Sequence, residues 1–134
     1  MYEPTLRKVL FVDDDQDDLE FYGDILKEVF ADLAIEEAHS GQQALNLLQQ
    51  AITCNSLPDL IILDMNMPLL SGLETVREIK KDPRFGAIPI VLFSTAPEIK
   101  ENDQLESLGV KYFSKPRSIE EMKAVATRLM NHRT

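Results

Sequence analysis

Two apolar runs in this chain end abruptly in acid. Val9, Leu10, Phe11 and Val12 lead into Asp13, Asp14 and Asp15, and Leu60, Ile61, Ile62 and Leu63 lead into Asp64. A continuous apolar run of this length reads as a strand buried on both faces, as in a parallel sheet covered by helices. Between such runs the apolar positions change to helical spacing. Tyr22, Ile25, Leu26, Val29 and Phe30 form one stripe, with Asp15 or Asp17 as its N-cap. A short strand is expected near 34–38, followed by a helix opened by Ser40 and Gly41 that carries Ala44, Leu45, Leu48, Ala51 and Ile52 on one face and stops at 55–58. After the strand at 60–63, Pro68, Ser71 and Gly72 lead into a helix with Leu73, Val76 and Ile79, which ends near Asp82 and Pro83. Ile90, Val91, Leu92 and Phe93 make a fourth strand. A weakly patterned helix over 98–108, a strand at 111–114 and a final helix with Met122, Val125, Ala126, Leu129 and Met130 complete the chain. Five strands alternating with five helices predict an α/β protein with a parallel sheet and right-handed crossovers.

That architecture directs attention to the acids. In open parallel sheets, ligand sites gather at the carboxyl ends of the strands. Carboxylates ending two neighbouring strands face one another across one pocket, where crowded negative charge is unfavourable unless a cation neutralises it. A divalent metal is therefore expected there. Composition narrows the partners. The 134 residues suit a single domain spanning 1–134 with no separate output domain, and 44% hydrophobic residues supply its core. The net charge of −9 and pI near 4.6 argue against a nucleic-acid or anionic membrane surface, leaving proteins and cations. No run of about 20 apolar residues is present and residues 1–8 lack a signal-peptide core, so a cytoplasmic location is expected. Cys54 is the only cysteine and reads as a bystander thiol.

Four motifs in order now carry a resemblance: Phe11-Val12-Asp13-Asp14-Asp15, then Leu63-Asp64-Met65-Asn66-Met67-Pro68 with Gly72, then Phe93-Ser94-Thr95-Ala96, then Lys115-Pro116. Over residues 9–130 the chain resembles the receiver domain of two-component response regulators. The resemblance implies a flavodoxin-like (βα)5 three-layer sandwich with strand order 2-1-3-4-5. It implies a phosphorelay switch in which Asp64 is the phosphoacceptor and a sensor histidine kinase is the donor. Mg²⁺ would be bound by Asp14 directly, by Asp13 through water, by the phosphoacceptor Asp64 and by the backbone carbonyl of Asn66, an oxygen-rich shell of the kind Mg²⁺ favours. Lys115 would meet a phosphoryl oxygen, Ser94 would bond to the product, and Tyr112 would be the switch aromatic. Pro116 is expected to follow a cis peptide that aims Lys115. The acidic opening at 13–18, the long segment before Leu60, and Lys81-Asp82-Pro83 ahead of Ile88-Pro89 resemble stand-alone receivers paired with phytochrome-type histidine kinases. The 98–108 helix and Tyr112 would lie on a face that changes on activation and could support a homodimer. Thr95, where many receivers carry alanine or glycine, would narrow the approach to Asp64.

Other readings fit the residues less well. A haloacid-dehalogenase-type phosphatase also uses an aspartate after a strand, but carries a second aspartate where this chain has Asn66. A pseudo-receiver usually lacks one of the acids or the lysine, and all are present here. A flavin carrier of the same fold needs a Ser/Thr/Gly-rich phosphate loop after the first strand, where this chain has the acidic stretch 13–18. Asp15, Asp17, Asp18, Glu20 and Asp24 read as a solvated helix face. Asp59 precedes its strand and so sits at the opposite end of the sheet. His39 and His132 read as surface residues.

Overall fold

The computed structural model describes residues 7–94 and 108–132, with side chains to 129. The elements follow the alternation of the sequence: β1 (Lys8–Val12), α1 (Gln16–Val29), β2 (Ala34–Ala38), α2 (Gly41–Thr53), β3 (Leu60–Asp64), α3 (Gly72–Lys81), β4 (Ile90–Ser94), β5 (Val110–Ser114) and α4 (Ile119–His132). The site expectation for Thr95 and all but the last residue of the expected helix over 98–108 fall on 95–107, outside the described residues. Four helices therefore stand among the described residues. All strand pairs are parallel and the sheet order is β2-β1-β3-β4-β5, the flavodoxin-like arrangement.

Alternation along the central strands divides the core into two layers. Leu10, Val12, Ile61, Leu63, Ile90 and Leu92 face α2 and α3, meeting Ala44, Leu48, Val76 and Ile79. Val9, Phe11, Leu60, Ile62, Val91 and Phe93 face α1 and α4, meeting Leu19, Tyr22, Leu26, Met122 and Ala126. β3 and β4 are buried along their whole length, which is why their sequences are unbroken apolar runs. Local capping sets where the helices begin. Asp15 accepts the Asp17 amide, Ser40 accepts the Gln43 amide, and Ser71 with Glu74 forms a reciprocal capping box at α3. At the opposite edge of the sheet, Asp59 accepts the Arg7 and Lys8 amides at 2.9 and 3.0 Å and so serves the start of β1.

This topology aligns the strand ends. The chain leaves β1 for β2 on one side and returns to β3 on the other, creating a switch point between β1 and β3. Val12 is level with Leu63, so Asp13 and Asp64 come next to one another. Ladder bonds continue one step beyond the strands: the Asp13 amide donates to Ala38 O at 3.0 Å, Met65 to Phe93 O at 2.7 Å, and Lys115 to Ser94 O at 2.7 Å. The backbone beneath each of these side chains is thus held by its neighbouring strand.

The start of α3 locks the segment after Asp64. Gly72 donates to Met65 O at 3.0 Å, and a Cβ at Gly72 would lie 2.6 Å from Asp64 O and 2.8 Å from Met65 Cα. Backbone atoms cannot swing aside as a side-chain tip can. Gly72→Ala is expected to destabilise the protein by about 1–3 kcal/mol, the usual range for forced overpacking. Gly86→Ala, whose Cβ would be 3.7 Å from its nearest neighbour, Pro83 O, should stay within about 0.5 kcal/mol of the parent. Urea denaturation of both variants measures the contrast; equal stabilities would contradict the close approach at Gly72.

Candidate functional site

Three carboxylates converge at the switch point. One oxygen from each of Asp13, Asp14 and Asp64 lies within 4.8 Å of the others. Asp13 and Asp64 are buried, whereas Asp14 stands exposed at the rim. Lys115, one residue beyond β5, brings its ammonium into the same pocket. Nζ is 3.0 Å from Asp13 Oδ2, 2.7 Å from Asp18 Oδ2 and 3.6 Å from Asp64 Oδ1. Asp13 Oδ1 also accepts the Asp15 amide at 3.0 Å, and the Asp64 carboxylate accepts the backbone amide of Asn66. Asp64 Oδ1 itself is buried and accepts no hydrogen bond among the described residues. An unsatisfied buried carboxylate oxygen is energetically unfavourable and marks a place where something else binds or reacts.

Electrostatics agree with that geometry. Burial, reinforced by the charge of Asp13, pushes Asp64 up to about 6. Burial also raises Asp13, outweighing the Asp15 amide and Lys115. For Lys115, burial disfavours the charged form, but the bonds to Asp18 and Asp13 more than offset it and hold the ammonium above its ordinary range. One ammonium cannot neutralise Asp13, Asp14, Asp18 and Asp64 together. The donor set is all oxygen, and it includes a buried carboxylate oxygen that accepts no hydrogen bond among the described residues, so the residues present fit a hard divalent cation.

Sequence reading and structure differ at two points. Asp18 is not merely part of a solvated face; it makes the shortest contact to Lys115 because α1 carries it over the pocket. The signal was its place one turn before the buried Tyr22 on the same stripe of α1. Asp15, Asp17, Glu20 and Asp24 are exposed as expected. The expected cis peptide before Pro116 is also corrected. No cis peptide occurs among the described residues. Lys115 reaches Asp13 from a trans-linked strand end, and the Tyr22 hydroxyl fixes the following turn by donating to Pro116 O at 2.6 Å. Tyr22, buried and pushed up to about 12 by burial and then by Asp18, was not singled out in the sequence beyond its helix stripe. Its signal is a polar tip on an otherwise apolar face.

The remaining candidates are close by. Ser94 is buried at the end of β4, with its carbonyl bonded to the Lys115 amide. Asn66 is exposed two residues beyond Asp64. Tyr112 is half-buried on β5, level with Leu92, and packs against the core layer on the α2 and α3 side. His39 is exposed and pairs with Gln16 at 2.6 Å, and Cys54 is an exposed free thiol. No described helix is long and apolar enough to cross a membrane.

A family profile described as "Response regulator receiver domain" matches residues 9–127. Sensor histidine kinase TmoS of Ectopseudomonas mendocina is 34% identical over 125 residues, covering 92% of this chain and 12% of TmoS. Among four curated relatives that are 34–36% identical, this chain spans only 9–46% of each relative's length. The crystal structure of the phosphorylated cyanobacterial phytochrome response regulator RcpA matches with a TM-score of 0.80 and 26% identity, covering 93% of this chain and 91% of RcpA. The Mn(2+)-bound form of response regulator Rcp1, a protein of Synechocystis sp., matches with a TM-score of 0.77 and 28% identity, covering 92% of this chain and 91% of that one.

Raised carboxylate pKa values have a signed consequence for stability. Asp64 binds its proton more tightly folded than unfolded, so its stabilising contribution is complete below about 4 and is lost as pH rises through about 6. Asp13 acts in the same direction. In EDTA, wild-type stability should fall between pH 4.5 and 7, with Asp64 contributing on the order of 3 kcal/mol. Asp64→Asn should flatten most of that slope in urea titrations. An unchanged slope in the variant would contradict the assignment.

Proposed function

Because the chain belongs to the response regulator receiver domain family, whose members accept phosphoryl groups from histidine kinases, we propose that Asp64 is the phosphoacceptor of this switch. The observation that carries the reading is the buried Asp64 Oδ1, which accepts no hydrogen bond among the described residues and lies 3.6 Å from the Lys115 ammonium. Its lone pair attacks phosphorus of a phosphohistidine, the P–N bond breaks, and the departing imidazole keeps that electron pair and takes up a proton. The product is an acyl phosphate on Asp64. Lys115, already in the pocket, donates a hydrogen bond from its ammonium to a phosphoryl oxygen. Ser94, level with the site at the end of β4, supplies a hydroxyl for another.

The cation in this reading is Mg²⁺, which would be held by Asp14, Asp64 and the backbone carbonyl of Asn66 directly and by Asp13 through water. Bound there, it would supply positive charge against the carboxylates and the phosphoryl oxygens. The oxygen donors and the convergence of Asp13, Asp14 and Asp64 support it. The protein acts as a signalling switch whose chemistry is limited to gaining and losing its own phosphoryl group. A phytochrome-type sensor kinase is the proposed donor, supported by the likeness to RcpA, and the cytoplasm is the proposed location. The β5 surface around Tyr112 is the proposed place for a downstream protein or a second copy, with Ser94 and Tyr112 coupling it to Asp64.

Acetyl phosphate with Mg²⁺ should add one phosphoryl group, stable in acid and labile at high pH, and Asp64→Asn should abolish it. Intact-mass measurement decides, and labelling of the variant at the wild-type rate would sink the assignment. Ser94→Ala should still be phosphorylated but lose the accompanying change in amide exchange along β5. Identical exchange changes in Ser94→Ala and wild type would contradict the coupling.

A further inference from the structure

Lys115 is shared unequally. Its closest partner is not one of the three converging acids but Asp18, at 2.7 Å, in the first turn of α1. Asp13 follows at 3.0 Å and Asp64 at 3.6 Å. An ammonium carries three protons to donate, and the Lys115 side chain is only 11% exposed, so its partners must come mainly from the pocket. The buried Asp64 Oδ1 accepts no hydrogen bond among the described residues, although the ammonium lies beside it. A movement of roughly half an ångström would bring Nζ to ordinary hydrogen-bond distance of that oxygen. The short contact to Asp18, on the α1 side, opposes that movement.

We propose that Asp18 is a positioning residue: it holds the Lys115 ammonium at the α1 side of the pocket and so keeps the oxygens of Asp13, Asp14 and Asp64 open to a divalent cation. Without it, Lys115 settles between Asp13 and Asp64 and neutralises two of the three acids that converge there. A cation must then displace an ammonium before it can bind. The inference rests on the metal reading above, but it concerns a residue outside the ligand set. Loss of the Asp18 charge also weakens cation attraction by plain Coulomb effects. That second contribution does not depend on Lys115, which makes the two separable.

A double-mutant cycle on the full chain, read by Mg²⁺ calorimetry, makes the separation. Asp18→Asn should raise the Mg²⁺ Kd roughly three- to tenfold in the wild-type background, the range expected for contacting charged groups. In a Lys115→Met background the same change should alter Kd by less than about twofold. Asp17→Asn removes an equal charge from the same turn, where the side chain is exposed, and should leave Kd within about twofold. Asp18→Ser repeats the measurement with a different side chain, so the result does not depend on the folding of one variant. Equal losses in both backgrounds, or an unchanged or tighter Kd on loss of Asp18, overturn the positioning role while leaving the metal site intact. Absence of Mg²⁺ binding to the wild type overturns the metal reading together with this inference.

Discussion

Buried negative charge at the carboxyl edge of the sheet is the constraint on which the site depends. β1 and β3 are neighbours in register, and adjacent strands lie only about 4.8 Å apart, so acids placed just past their ends must crowd. Asp13 and Asp64 do so under almost complete burial. Each alone would resist ionisation; together they resist it more, as the elevated Asp64 shows. Lys115 answers part of that charge, and its own placement relies on the bond from its amide to Ser94 and on the Tyr22 bond to Pro116 just after it. A cation demand is therefore built into the topology, and the phosphoryl transfer proposed for Asp64 would use the same demand.

The scaffold meets this unfavourable arrangement with rigidity. Two apolar layers hold the central strands from both sides, and ladder bonds extend past the last strand residues to the backbone beneath Asp13, Asp64 and Lys115. Gly72 lets α3 approach the end of β3 at backbone distance, which fixes the segment bearing Asn66. Asp15 caps α1 and, through its amide, orients Asp13. Thus one short acidic stretch serves several ends: Asp13 and Asp14 face the pocket, Asp15 caps, and Asp18 anchors the lysine.

Most of the fold was legible because burial on both faces writes β3 and β4 as unbroken apolar runs, while amphipathic spacing marks the helices. The helix starts at Ser40 and Ser71 were legible as local chemistry. Asp13, Asp14 and Asp64 could be grouped because they end two strands and a parallel sheet gathers strand ends; Lys115 joined them through the receiver resemblance. Asp18 could not be grouped this way. Within a run of acids it differs from Asp17 only through a lysine far along the chain, and only helix phase relative to Tyr22 points toward that partner. The peptide before Pro116 was misread because cis and trans forms of such bonds differ by only about 0.5–1 kcal/mol, and the surrounding contacts decide between them. Edge strand β2, with Glu36 and Glu37 side by side, was placed by its neighbours more than by its own pattern.

If the folded chain carries a specific demand for a divalent cation at this edge, thermal unfolding across a Mg²⁺ series at constant ionic strength reads it out. The midpoint should climb with Mg²⁺ along a single-site binding curve, worth about 2.7 kcal/mol at a hundred times Kd. A midpoint that moves no more with Mg²⁺ than with Na⁺ at matched ionic strength would contradict it.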